Sequence, residues 1–129
     1  MIDPMIQRLL EQTIDSPIKL QLLLMYHDNP RMEGSASQIA QRAYRDIWST
    51  HEALRELAED GVLNVAGAGE PVYRYRPRSE HVEPIFRLVQ SYNEPLERDQ
   101  IQRILREVAS YAPYRRAAQL GNSFERSIL

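Results

Sequence analysis

The chain has 129 residues, of which 43% are apolar and 26% are charged. This length and composition suit one compact domain with an appendage and exclude a large multidomain enzyme. The sequence contains no cysteine, which excludes a disulfide framework, a thiolate metal site and a cysteine nucleophile. The formal charge of −2 gives no overall attraction to nucleic acid or anionic lipid, so any such binding must be local.

The N-terminal segment predicts a cytoplasmic protein without a membrane partner. It carries Asp3 where a secretory signal needs basic residues, and the longest apolar run, 22–26, is too short to span a membrane. Fifteen of the sixteen basic residues are arginine. The planar guanidinium of arginine suits paired hydrogen bonds with guanine, phosphate and carboxylate groups.

Caps and apolar periodicity predict four helices in the first half of the chain. They are a short helix after Asp3, a second from Pro17 to about His27, a third after the capping box 35–38, and a fourth from Ile47 to Asp60. The second is apolar around most of its circumference, which is typical of a central core helix. Gly61 is placed to end the fourth helix.

The apolar period then changes from 3.6 to two, which predicts a β-hairpin. Its strands are 62–65 and 72–76, and Gly67 and Gly69 lie in the connecting turn. Aromatic and basic side chains alternate along the second strand. One side of the hairpin is therefore expected to be aromatic and the other basic.

The C-terminal region is predicted to be helical and to form an interface. One helix begins after Ser79, and another runs from Leu96 to Tyr111. The second carries a narrow apolar seam, which is typical of a helix that packs against a partner surface. We assign this seam to a homodimer interface formed by Ile101, Ile104, Leu105 and Val108. The alternative is that the seam packs back on its own domain. The pattern of residues 113–129 predicts no particular structure.

Residues 16–77 resemble the winged helix-turn-helix of bacterial transcription regulators such as the MarR and ArsR groups. The resemblance is carried by Ile39-Ala40, Ser49-Thr50, the segment 53–63 and Tyr73-Arg74-Tyr75. Within 53–63, the leucine and glycine spacing packs the fourth helix inward, ends it at Gly61 and leads directly into the first hairpin strand.

The resemblance implies a mostly α fold with a small β-hairpin wing and a C-terminal helical extension. A winged helix-turn-helix domain, with its short N-terminal helix, would span 1–78, and a dimerisation or extension region would span 79–129. Two residues depart from the family pattern. Tyr44 stands where many such turns carry glycine, and Arg45 stands where an apolar residue is common.

The implied function is that of a DNA-binding transcription regulator acting as a homodimer. In DNA-binding members the second helix of the unit enters the major groove, and the wing contacts the backbone of the duplex. Here these elements are the helix 47–60 and the wing 63–76. The residues predicted to contact DNA are Arg45, Ile47, Trp48, Ser49, Glu52, Arg55, Arg74 and Arg76. Arg55 could donate paired hydrogen bonds to guanine O6 and N7, and Glu52 could accept a hydrogen bond from cytosine N4.

A second interpretation is a winged-helix module that binds another protein instead of DNA. Residues 31–78, which include the helix and the wing expected to contact DNA, contain seven arginines and seven acidic residues. This segment is therefore neutral, and its attraction to phosphate is weak. Acidic residues are frequent on the presumed reading helix, at Glu52, Glu56, Glu59 and Asp60. Trp48 is a candidate interface anchor.

A third interpretation is a regulator that responds to a small molecule. Tyr92, Tyr111 and Tyr114 are candidates to line a site between the winged domain and the C-terminal helices. Tyrosines with this spacing are also common in protein cores, and the sequence names no ligand.

The sequence favours neither catalysis nor a cofactor. His27, His51 and His81 are scattered and lack the spacing that places two metal ligands on one helix face. The glycines of 67–69 precede a strand, whereas a phosphate-binding glycine loop precedes a helix. We therefore predict no enzyme activity, no metal site and no cofactor.

Overall fold

A computed structural model describes the backbone of residues 2–128 and the side chains of residues 2–119. About 69% of the chain is helical, and the remainder includes a small three-stranded antiparallel sheet. The elements are α1 (Pro4–Gln12), α2 (Pro17–Asp28), β1 (Glu33–Gly34), α3 (Ala36–Ala43), α4 (Ile47–Glu59), β2 (Leu63–Ala66), β3 (Val72–Tyr75), α5 (Ser79–Tyr92) and α6 (Pro95–Ile128). The predicted mostly helical fold with a small β element is confirmed.

Side-chain caps begin the first four helices as the sequence predicts. The capping oxygens, which accept hydrogen bonds from backbone amides two or three residues ahead, belong to Asp3, Ser16, Ser35 and Asp46. Ser35 and Gln38 form a complete capping box. Each cap satisfies an amide that would otherwise lack a partner in the first turn. By contrast, α5 has Arg78 at its N-cap and no side-chain cap, so Ser79 is its first helical residue.

Gly61 ends α4 as predicted. Its φ of +85° lies in the left-handed region, and a Cβ atom there would come within 2.5 Å of the Arg78 side chain. The Val62 amide then donates to the carbonyl of Leu57, and the chain passes directly into β2. Glycine is therefore required here by both backbone conformation and space.

The sheet has the strand order β1-β3-β2, so β3 is its central strand. The predicted hairpin is present, with Leu63 opposite Tyr75 and Val65 opposite Tyr73. The strand β1 was not predicted, because it has only two residues and no alternating pattern. It exists only through its pairing with β3, where Glu33 lies opposite Arg74.

The helix α2 is the centre of the core. Leu22, Leu23 and Tyr26 on this helix are buried. The Tyr26 hydroxyl donates to the Tyr73 carbonyl over 3.0 Å, which ties α2 to the central strand. Burial in this apolar setting raises the pKa of Tyr26. The core forms one continuous cluster that also includes residues of α5 and α6.

The apolar seam of α6 packs inside the same chain, which favours the alternative of packing on its own domain over the homodimer interface. Ile101, Leu105 and Val108 are buried, and Ile104 is half-buried against the core. The helix contacts α1, α2 and α5. The narrow seam does cover an apolar surface as its pattern indicates, but that surface belongs to the chain's own N-terminal helices.

The helix α6 also continues beyond the predicted end at Tyr111. It passes through Pro113 and extends to Ile128, so its 34 residues span about 51 Å. Proline lacks an amide hydrogen and so removes one helical hydrogen bond. Within the described range 2–128, no helix is both long and apolar enough to cross a membrane.

Candidate functional site

The turn between α3 and α4 holds an aromatic residue in an unusual conformation. Tyr44 has φ 54° and ψ 43°, which is the left-handed region, and its side chain is 95% exposed. A residue with a Cβ atom is strained there by about 1 to 2 kcal/mol. The exposed ring offsets none of this cost by packing. The left-handed backbone ends α3, whose C-cap is Tyr44, and leaves the ring in solvent beside the start of α4.

Three exposed apolar side chains follow one another closely in sequence at this turn, and we call them the aromatic patch. It consists of Tyr44, Ile47 and Trp48, and the tryptophan is 83% exposed. Ile47 and Trp48 occupy the first turn of α4, which Asp46 caps by accepting from the Ser49 amide over 2.8 Å. The hydrogen bonds from Ser49 hold the pKa of Asp46 below its ordinary value. Because Ile47 and Trp48 are exposed, the outward face of α4 is open to solvent where the helix begins.

We expect Tyr44→Gly to give a higher free energy of unfolding than Tyr44→Ala, by about 1 kcal/mol, because only glycine adopts the left-handed conformation without strain. Both variants remove the same exposed ring, so lost packing contributes little to the difference. Urea denaturation followed by circular dichroism measures both values. An alanine variant as stable as the glycine variant would contradict a strained turn at residue 44.

Arg55, the predicted guanine reader, is held by two acidic side chains of its own helix. Its Nη2 lies 2.6 Å from Glu52 Oε1, and its Nη1 donates to Glu59. The hydrogen bond to Glu52 raises the pKa of the Arg55 guanidinium. To bind guanine, Arg55 must leave both carboxylates. The outward face of α4 therefore carries one cation between two anions.

The arginines of the hairpin differ from each other. Arg74 is half-buried, and its Nε lies 3.7 Å from Glu33 Oε2 on the neighbouring strand. Arg76 lies just beyond β3, is exposed, and has no ion-pair partner among residues 2–119. Of the two predicted phosphate contacts, Arg76 is the one available to a ligand.

Arg45 is exposed and is oriented by a residue of α2. Its Nε donates to Gln21 Oε1 over 2.8 Å, while Gln21 Nε2 donates to the carbonyl of Ala43 over 2.9 Å. A single side chain of α2 thus contacts residues on both sides of Tyr44. Gln21 braces the turn that carries the aromatic patch.

A group of charged residues on the inner side of α4 was not predicted, and we call it the buried charge cluster. It is centred on two buried residues, Asp15 and Lys19, and its half-buried members are Glu56, Asp60, Arg115 and Arg116. Lys19 is 2% exposed, and its Nζ lies 2.6 Å from Asp15 Oδ1 and 2.8 Å from Glu56 Oε1. The only lysine of the chain therefore joins the start of α2 to the middle of α4.

Two arginines of α6 complete the buried charge cluster. Arg115 Nη2 and Arg116 Nε lie 2.7 and 2.8 Å from Asp15 Oδ2, and Arg116 Nη2 lies 2.8 Å from Asp60 Oδ2. These contacts hold α6 against the end of α4 on the turn that follows Pro113. They stabilise the helix where the proline has removed a hydrogen bond.

The cluster fixes the ionisation of its members. Burial alone would raise the pKa of Asp15, but hydrogen bonds from Arg116 and Lys19 outweigh it, so the pKa lies below its ordinary value. For Arg116, burial favours the neutral form, and hydrogen bonds to Asp60 and Asp15 reverse this and raise the pKa. Both groups are therefore charged at neutral pH.

No protein-family model, curated protein or solved structure matches the chain. Among residues whose side chains are described, no three histidine, aspartate or glutamate side chains group as a potential metal site.

The structure brings some of the predicted site residues together and separates others. Arg45, Ile47, Trp48, Ser49 and Glu52 share the exposed end of α4, whereas Ile101, Leu105 and Val108 lie in the core. Tyr44 and the buried charge cluster were missed. The four-residue spacing of Asp15 and Lys19 is a weak signal for part of the cluster. No local signal connects either residue to Arg115, 100 positions away from Asp15.

Proposed function

We propose that the protein is a DNA-binding regulator of winged helix-turn-helix type. In this proposal the first turns of α4 enter the major groove, and the β2–β3 hairpin is the wing that lies along the phosphate backbone. The observation that carries it is the exposed outward face of α4, between an arginine-bearing turn and an arginine-bearing hairpin. This face includes Trp48, Ser49 and Glu52.

The charge of the proposed face is more favourable than the sequence count indicates. Glu56 and Asp60 bind Lys19 and Arg116, so their charges are balanced by cations that lie outside residues 31–78. Residues 31–78 then retain seven arginines against five other acidic residues. The resulting positive excess supports modest attraction to phosphate.

We take three exposed arginines of the proposed face as phosphate contacts. Arg42 on α3, Arg45 in the turn and Arg76 after β3 are exposed, and none forms an ion pair among residues 2–119. Because Ile101, Leu105 and Val108 are buried within the chain, we state the proposal for a single chain and assign no dimer interface to the seam.

A duplex of mixed sequence is expected to bind with an affinity that falls as salt rises. Three phosphate contacts predict that log K falls against log salt with a slope of about −3. Arg76→Ala removes one contact and should make this slope about one unit shallower. Fluorescence anisotropy of a labelled duplex over a salt series measures both slopes.

Arg103→Ala is the matched control, because Arg103 is an exposed arginine of α6 and is not one of the proposed phosphate contacts. It should leave the slope unchanged. Affinity that does not depend on salt, or no binding even at low salt, would rule out the proposed DNA contact.

A second candidate function is protein binding through the aromatic patch. Two observations favour it: Arg55 is already paired with Glu52 and Glu59, and Trp48 is an exposed aromatic residue among charges. Buried aromatic residues surrounded by polar groups are frequent energetic anchors of interfaces. A partner bound this way should be lost in Trp48→Ala and kept in Leu96→Ala, since Leu96 is also an exposed apolar residue, with 80% exposure.

A further inference from the structure

A groove lies between α2 and α6, beside the turn that carries the aromatic patch. Its volume is about 490 Å³, which is within the range of small-molecule sites. The apolar part of its lining comes from Leu20, Leu24 and Met25 of α2 and from Leu105 of α6. This part of the groove is suited to an apolar ligand body.

The charged part of the lining carries an excess of positive charge. Arg45 and Arg106 line the groove, together with one carboxylate, Asp28. Arg106 is exposed and has no hydrogen-bond or ion-pair partner among residues 2–119. A guanidinium without a partner is free to bind an anionic group of a ligand.

Uncharged polar side chains also line the groove, where they can orient a bound ligand by hydrogen bonds. Gln102 Nε2 donates to the Tyr92 hydroxyl over 3.1 Å, and both side chains line the groove. The hydroxyl accepts this hydrogen bond and keeps its own proton for a second acceptor. Of the three tyrosines named by the sequence, only Tyr92 lines this groove, while Tyr111 and Tyr114 are exposed on α6.

We propose that this groove binds a small amphipathic carboxylic acid. Its apolar body lies against Leu24, Met25 and Leu105, and its carboxylate is bound by Arg106 and Arg45. An uncharged apolar ligand would form no charge-assisted hydrogen bond with either guanidinium group, so the ligand is taken to be an anion. The groove offers more positive than negative charge for this purpose.

A ligand in the groove can affect the turn at Tyr44 through Gln21. Gln21 lines the groove, accepts from Arg45 and donates to the carbonyl of Ala43. A carboxylate bound to Arg45 competes with Gln21 for the guanidinium. It can therefore break the Arg45–Gln21 hydrogen bond, which is one of the two contacts of Gln21 that hold the turn at Tyr44. Any consequence for DNA binding rests on the proposed function, whereas binding in the groove does not.

The test uses decanoate and its neutral analogue decanol as competitors of the fluorescent dye anilinonaphthalene sulfonate. Decanoate should displace the dye at a concentration about 10-fold lower than decanol, because only the acid forms charge-assisted hydrogen bonds. Arg106→Gln should remove most of this advantage. Arg103→Gln, on the same helix but outside the groove lining, should preserve it.

Backbone amide NMR shifts locate the site. Decanoate should move the amides of Gln21, Leu24 and Leu105 in the wild-type protein. The proposal fails if decanol competes as well as decanoate, if both arginine variants behave alike, or if the shifted amides lie outside the groove. Neither measurement involves DNA, so the proposed function and the ligand site can fail independently.

Discussion

Asp15→Ala is expected to lower the free energy of unfolding by about 3 to 5 kcal/mol. The aspartate is 1% exposed and is bound by Lys19, Arg115 and Arg116, so its removal leaves three cations without their shared anion. Lys19 keeps Glu56 and Arg116 keeps Asp60 as partners, but the three cations then face only two anions. One net positive charge remains beside Lys19, which is 2% exposed, and such a charge is far more costly than the net value of the intact cluster. Urea denaturation of the full chain measures the loss.

The matched control is Asp99→Ala, an exposed aspartate of α6 without an ion pair among residues 2–119. This substitution should change the free energy of unfolding by no more than about 0.5 kcal/mol. Asp15→Asn keeps the shape of the side chain but removes its charge. If Asp15→Asn and Asp15→Ala were both as stable as the wild-type protein, the buried charge cluster would not stabilise the fold.

The same aspartate predicts the direction of an acid effect. Its pKa is lower in the folded chain than in the unfolded chain, so the stability it contributes is present above the unfolded-state pKa. That contribution decreases as the pH falls from about 4 towards the lowered pKa of the folded state. Asp15→Asn should therefore lose less stability than the wild-type protein over this acid range.

Ile101→Ala is expected to lower the free energy of unfolding by about 2 to 5 kcal/mol. Ile101 is fully buried between α6 and the N-terminal helices, so the substitution removes apolar contacts and leaves a cavity within one chain. Leu96→Ala is the control, because Leu96 lies on the same helix and is 80% exposed. It should have little effect.

The Ile101 experiment also separates packing within the chain from packing between subunits. A seam that packs within one chain predicts an unfolding midpoint that does not depend on protein concentration. An intersubunit seam predicts a midpoint that rises with concentration and a loss in Ile101→Ala that grows with dilution. The second result would restore the homodimer assignment of the seam.

Several elements of this fold are encoded by neighbouring residues and were therefore predictable. Asp46 begins α4 through a hydrogen bond that spans three residues, and Gly61 ends it because its own backbone is left-handed. The hairpin likewise follows from a local change in period. Each of these signals involves contacts within a few residues, which periodicity and capping rules describe well.

Other features depend on groups that are distant in the sequence. The two-residue strand β1 exists only because it pairs with β3. The apolar seam around Ile101 was recognised, but its pattern is the same for a partner in the same chain or in another subunit. Glu52 and Glu59 lie three and four residues from Arg55, which allows ion pairs with it. Whether these pairs form depends on the side-chain rotamers, which the spacing does not determine.

The amino-acid sequence by itself determined the order of the helices and of the two hairpin strands, and the caps of the first four helices, because these follow from short-range hydrogen bonds and apolar periodicity. Only the tertiary structure decided that Arg115 and Arg116 meet Asp15, that the α6 seam closes its own core, and that Arg106 and Arg45 line one groove. These contacts join residues that are far apart in the chain. Their formation depends on how α6 packs on the other helices, which no local pattern specifies.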